Sequence, residues 1–219
     1  MRRPAVNRFG GLVTRMFVAA IAVPAMIPEL TVPAAAHHLM HGKTPTTFAE
    51  GLLSGLGHPI IGPDHLAFLI AAGVAVGVGR LVLSLPIVFV IAMIAGVALR
   101  VFGVAVAGAE IAVGLSVLLI GFLIARGRPL AAVVWVVLFA TAGLFHGYAY
   151  GEAIVVSEAA PLGAYLIGLA VVQAALTVGV ALLARRLAAE ASALRPRLIG
   201  AAILGVGLAV LAERLLSGA

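Results

Sequence analysis

The chain has 219 residues, 63% of them hydrophobic and 10% charged, with a formal net charge of +6 and a mean hydropathy of +1.23. A soluble domain of this length could not cover so much apolar surface with polar groups, so the bilayer is the solvent. The absence of cysteine excludes disulfides, thiolate metal ligands and iron–sulfur chemistry.

Lipid offers no hydrogen-bond partners, which leaves helices or a closed barrel. The apolar runs are long and unbroken rather than alternating, and this predicts an all-α, polytopic membrane protein. Its arginines cluster at the ends of those runs, an orientation signal and not a nucleic-acid patch.

Residues 1–36 read as a signal peptide. Arg2, Arg3, Arg8 and Arg15 precede a short apolar stretch, Met16 to Ile27, that Pro24 interrupts and Pro28 follows. Ala34-Ala35-Ala36 then supplies the small residues of a cleavage site. Cleavage would leave residues 37–49 as an external segment headed by His37, His38 and His41.

Residues 50–219 read as a domain of six transmembrane helices, over 50–79, 81–99, 104–125, 130–152, 162–184 and 197–216, each near the length that crosses the hydrocarbon. Pro161 opens the fifth, where a missing amide proton costs nothing. With the mature N-terminus external, Arg80, Arg126, Arg128, Arg185, Arg186, Arg195 and Arg197 fall on the cytoplasmic side. Only Lys43, Arg100 and Arg214 fall outside, in keeping with the positive-inside rule. A short amphipathic helix is predicted over Leu187 to Leu194. No nucleotide-binding loop is present to suggest an ATP-driven pump.

Ionisable groups within spans are costly and usually functional. The candidates within the predicted spans, away from their Arg- and Glu-bearing ends, are His58, Asp64, His65, Glu110, His146 and Glu152, all ligand types for a hard-to-borderline divalent cation. With no Lys or Arg expected among them, a cation is the natural neutralising partner. On an ideal helix His58 and His65 would share a face ~10 Å apart, too far for one ion. The run Gly57-His58-Pro59-Ile60-Ile61-Gly62-Pro63-Asp64-His65 disfavours an ideal helix, and a broken helix would let the ligands converge. A proline kink with a carbonyl-bonded histidine is the plainer reading of His58 alone.

In Phe145-His146-Gly147-Tyr148-Ala149-Tyr150-Gly151-Glu152, His146 sits ~9 Å inside Glu152, a depth like that of His58 below Gly51. Tyr148 and Tyr150 are assigned to an interfacial aromatic belt. Glu152 is either a ligand or a solvated loop residue. Glu110 is a ligand, an acceptor for a histidine N–H, or a proton carrier. Ser116 is assigned to helix packing and Gln173 to an interhelical hydrogen bond.

The stretch from His58 through Asp64-His65-Leu66, the stretch from Phe145 to Glu152, and Glu110 with Ser116 together resemble the HupE/UreJ family of nickel and cobalt permeases. The signal segment, the histidine-bearing terminus and the six-span layout fit the same resemblance. The first motif is also similar to the histidine–aspartate–histidine signature of the larger nickel/cobalt transporter family, although five residues intervene here where that signature has four. The resemblance implies secondary uptake of Ni2+ or Co2+ across the bacterial inner membrane. It implies metal-path roles for His58, Asp64, His65, His146 and Glu152, with Glu110 as a further candidate and His37, His38 and His41 as a loose external capture site. No tightly bound cofactor is expected; the metal ion is cargo, the lipid bilayer is the other partner, and a homo-oligomer is compatible with the sequence. An intramembrane metal-dependent enzyme and a non-transporting metal-sensing subunit stay open as alternatives on the same residues.

Overall fold

The computed structural model describes residues 44–155, 157–190 and 194–217. The segment read as a signal peptide, and His37, His38 and His41, lie outside the described residues. The elements are α1 (Phe48–Ile61), α2 (Pro63–Val78), α3 (Leu85–Val101), α4 (Ala109–Arg126), α5 (Ala132–Gly151) with a 3-10 turn at Glu152–Ile154, α6 (Ala159–Glu190) and α7 (Leu194–Ser217). No strand occurs among the described residues.

Helix α1 starts at a capping box. The Thr47 hydroxyl accepts from the Glu50 amide at 3.2 Å, and the Glu50 carboxylate accepts from the Thr47 amide at 3.2 Å. It ends at Gly62, whose φ of −72° and ψ of 112° are the extended values that a following proline imposes. Pro63, which has no amide hydrogen to lose, then opens α2. The two helices meet at a bend of 76°. The span predicted over 50–79 is thus a broken helix, interrupted at Gly62 within its Gly- and Pro-rich run.

Four helical segments are long and apolar enough to cross a bilayer: Ala109–Arg126, Ala132–Ile154, Ala159–Leu187 and Leu194–Leu216. The bent α1–α2 pair qualifies as a fifth when taken together, and α3, at 17 residues, is shorter. The chain is an all-α membrane protein with four such segments, or five when the bent pair is taken as one span, among the described residues. Of the short helix expected over Leu187 to Leu194, residues 187–190 continue α6 and Leu194 opens α7, while the three between lie outside the described residues.

Helix α3 packs on α5, α4 on α7, and α6 on both α1 and α2. Small residues bring these backbones together, as lipid-embedded helices require in the absence of a hydrophobic drive between them. Gly96 of α3 lies against Leu144 of α5, Gly147 against Met93, and Gly55 of α1 against Tyr165 of α6, each so closely that a Cβ would strike a carbonyl oxygen. Helix α2 is the central element: from Ala67 to Gly77 every residue but Ile70 is buried. Large apolar side chains such as Ile91, Phe122, Val137, Val171 and Leu183 face outward and are more than half or nearly half exposed, as a lipid-facing surface would be.

Candidate metal centre

The break at Gly62 brings together residues that a straight helix would hold apart. His58 is in the last turn of α1, and Asp64 and His65 are in the first turn of α2. His146, on α5, comes from 81 residues further along the chain than His65. The His58 and His65 rings are 5.8 Å apart between centroids, and those of His65 and His146 are 4.9 Å apart. All four side chains are buried, His146 completely. Gly62 is part of this arrangement: a Cβ there would lie 2.7 Å from His65 Cδ2 and 3.2 Å from Asp64 Oδ1. Apolar walls enclose the cluster, with Phe68 4.7 Å and Phe89 5.6 Å from the His146 ring.

Hydrogen-bond roles assign the imidazole tautomers, since a hydroxyl has one hydrogen and a carbonyl can only accept. Ser116 Oγ donates to the Val113 carbonyl at 2.7 Å, so its 2.9 Å contact with His146 Nε2 must be donated by the ring. His146 Nδ1 is then the lone-pair nitrogen, and it accepts from His65 Nδ1–H at 2.8 Å. His65 in turn carries its lone pair on Nε2, 3.9 Å from Asp64 Oδ1. On the other side, Tyr165 donates to the Tyr150 carbonyl at 2.9 Å and so accepts from His58 Nδ1–H at 2.8 Å. That places the His58 lone pair on Nε2. Asp64 is oriented by the backbone amide of His65, 2.8 Å away, at the positive end of α2.

Imidazole nitrogen and carboxylate oxygen form a donor set for borderline divalent cations. Among the described residues no three His, Asp or Glu side chains already converge on one ion position. The short His65–His146 bond shows why: it uses a nitrogen from each ring. Separating those two rings would free the lone pair of His146 Nδ1 for an ion, while His65 carries its own lone pair on Nε2.

The family model described as "HupE / UreJ protein" matches residues 25–210. The chain belongs to the HupE/UreJ family. "Protein HupE" of Rhizobium leguminosarum bv. viciae is 34% identical over 105 residues, which cover 47% of this HupE/UreJ chain and 55% of that protein. The aligned stretch thus spans about half of that relative's length. No solved structure matches the chain.

The remaining acidic candidates of this HupE/UreJ chain have basic partners. Glu110 is in the first turn of α4, because that helix begins at Ala109 and not at residue 104, and it pairs with Arg214 of α7 at 2.9 Å. The Glu152 side chain is 62% exposed and lies 3.9 Å from Arg100. The expectation that the ionisable groups would have no fixed positive partner is corrected for these two. Each arginine was visible in the sequence, but only packing pairs it with its acid.

Two aromatic residues at the cluster were not anticipated in that role. Tyr150, assigned to an interfacial belt, is fully buried with its ring 4.2 Å from that of His65. It lies four residues after His146 on α5, a spacing that puts both on one face and could have signalled the association. Tyr165 had no such local signal, since its contact with His58 spans 107 residues. Tyr148 ties down the loop after α3, donating to the Val104 carbonyl at 2.9 Å beneath the Arg100 guanidinium. Ser116 does more than pack, through its bond to His146.

Proposed function

We propose that this protein is a secondary transporter, not an enzyme, that takes up nickel or cobalt across the inner membrane with its mature N-terminus outside. One observation carries the reading: His58, Asp64, His65 and His146 come from three helices to a single buried locus at a helix break. Intramembrane ionisable groups gathered at a broken helix are the arrangement that ion-coupled and ion-carrying transporters use. Membership of the HupE/UreJ family supports the same reading.

In this mechanism the ion enters the cluster as the His65–His146 bond opens, and it binds at the nitrogens that carry the lone pairs, Nδ1 of His146 and Nε2 of His65. His58 Nε2 and the Asp64 carboxylate complete the donor set. Tyr165 and Ser116 hold His58 and His146 in the tautomers assigned above. Movement of α1 against α2 about Gly62 would open and close the locus. The membrane potential favours inward passage of a cation by ~2.3 kcal/mol per charge per 100 mV, so no nucleotide hydrolysis is needed. His37, His38 and His41 would raise the local metal concentration outside.

The test is accumulation of nickel and of cobalt by cells that express the full chain, compared with cells carrying an empty vector and with an Asp64→Asn variant at equal membrane abundance. Wild-type cells should accumulate one or both metals above the vector level, and Asp64→Asn should return uptake to that level. Equal accumulation in wild-type and vector cells would refute the transporter reading.

A further inference from the structure

Helices α4 and α7 lie antiparallel, and glycines fix their register. Gly114 faces Leu211, Leu118 faces Gly207, Gly121 faces Leu204 and Ala125 faces Gly200, each so closely that a Cβ on the glycine would lie within 3.0 Å of its neighbour. One turn beyond the Gly114–Leu211 contact, the same register sets Glu110 opposite Arg214. Their side chains form an ion pair at 2.9 Å, and the arginine is the more buried partner, 17% exposed against 35% for the glutamate.

This pair stands at the end of the bundle that carries the histidine cluster. Ser116, which receives the His146 Nε2–H bond, lies ~9 Å further along α4 than Glu110. Helix α7 packs on α2 as well as on α4, and the first turn of α2 carries Asp64. The Arg214 guanidinium acts electrostatically on the Asp64 carboxylate across that interface. Arg214 thus faces two acids, Glu110 in direct contact and Asp64 through space.

A guanidinium stays protonated at any ordinary pH, so Arg214 is a fixed positive charge beside the place assigned to a divalent cation. A buried carboxylate needs a compensating charge, and the histidines around Asp64 are neutral in the tautomers assigned above. Arg214 supplies that charge while no ion is present. Once an ion arrives, the same guanidinium repels it and limits how tightly it is held. A transport site must bind well enough to load and weakly enough to unload, and a nearby fixed charge sets that balance.

We propose that Arg214 is a resident counter-cation for Asp64, anchored by Glu110, and that this anchored charge sets the affinity of the imidazole–carboxylate locus for the metal. Glu110 then acts as a positioning residue and not as a ligand. It holds the guanidinium on α4, and without it the guanidinium would settle on Asp64 and compete with the ion. The inference rests on the transporter reading and adds to it the means of unloading.

The test is a double-mutant cycle read as Ni2+ affinity, by isothermal titration of the purified full-length protein. Arg214→Gln should bind Ni2+ about tenfold more tightly than wild type, a typical size for coupling between neighbouring sites. Arg214→Lys, which keeps the charge, should stay within about twofold. Glu110→Gln should bind about tenfold more weakly, and that loss should vanish when Arg214→Gln is also present. The double variant removes both charges and leaves neither uncompensated, so it keeps the fold even where a single variant does not. It should bind Ni2+ as tightly as Arg214→Gln. Wild-type or weaker affinity in the double variant would overturn the proposal, as would a loss from Glu110→Gln that persists in the Arg214→Gln background and so marks Glu110 as a ligand. Uptake by cells tests the transporter reading separately: Ni2+ binding that follows the cycle in a protein that accumulates neither metal would overturn that reading and leave the charge balance at the locus standing.

Discussion

Gly62→Ala separates the demands of the fold from those of the site. The backbone at Gly62 has φ −72° and ψ 112°, values open to any L-residue, so alanine brings no conformational penalty there. The added methyl group would instead lie 2.7 Å from His65 Cδ2 and 3.2 Å from Asp64 Oδ1. The first distance is about 1 Å inside ordinary carbon–carbon contact, so the His65 ring must turn or shift. Overpacking of this kind costs about 1–3 kcal/mol of stability. The larger consequence is at the cluster, because the displaced ring is the one bonded to His146 at 2.8 Å and adjacent to Asp64. Disturbing the orientation of metal-binding groups typically weakens affinity about 10–100-fold. Isothermal titration of nickel into detergent-purified protein measures this, with Gly163→Ala as the control, since a Cβ at 163 meets nothing within 4 Å. Nickel affinity within about twofold of wild type for Gly62→Ala, at a folded fraction equal to the control, would refute the claim that His65 and Asp64 hold the ion.

Tyr165→Phe should leave His58 Nδ1–H and the Tyr150 carbonyl without their shared partner, lowering stability by about 1–3 kcal/mol and letting His58 adopt the other tautomer; nitrogen-15 chemical shifts of the histidine rings report that change directly. Ser116→Ala should act likewise on His146 and leave the His58 resonances in place, because the two hydroxyls serve different rings. Gly96→Val should fail to accumulate in the membrane, because its side chain would enter the backbone of α5 at Leu144; protein abundance by immunoblot is the measurement.

What the sequence determined by itself is what depends on composition and on short-range rules. An apolar fraction of 63% fixed the solvent and, through backbone satisfaction, the helical class. Gly62-Pro63 fixed the place of the break, since proline restricts its predecessor and favours the first turn of a helix. The chemistry of the ligands was legible because imidazole and carboxylate are conspicuous in an apolar run. The tertiary structure decided which of those ligands belong together. Glu110 answers to Arg214 and Glu152 to Arg100, while Tyr150, Tyr165 and Ser116 attach themselves to the histidines. The physical reason is range: a helix face is set by neighbours three or four residues away, whereas a hydrogen bond between His58 and Tyr165 exists only after α1 and α6 have packed glycine against backbone.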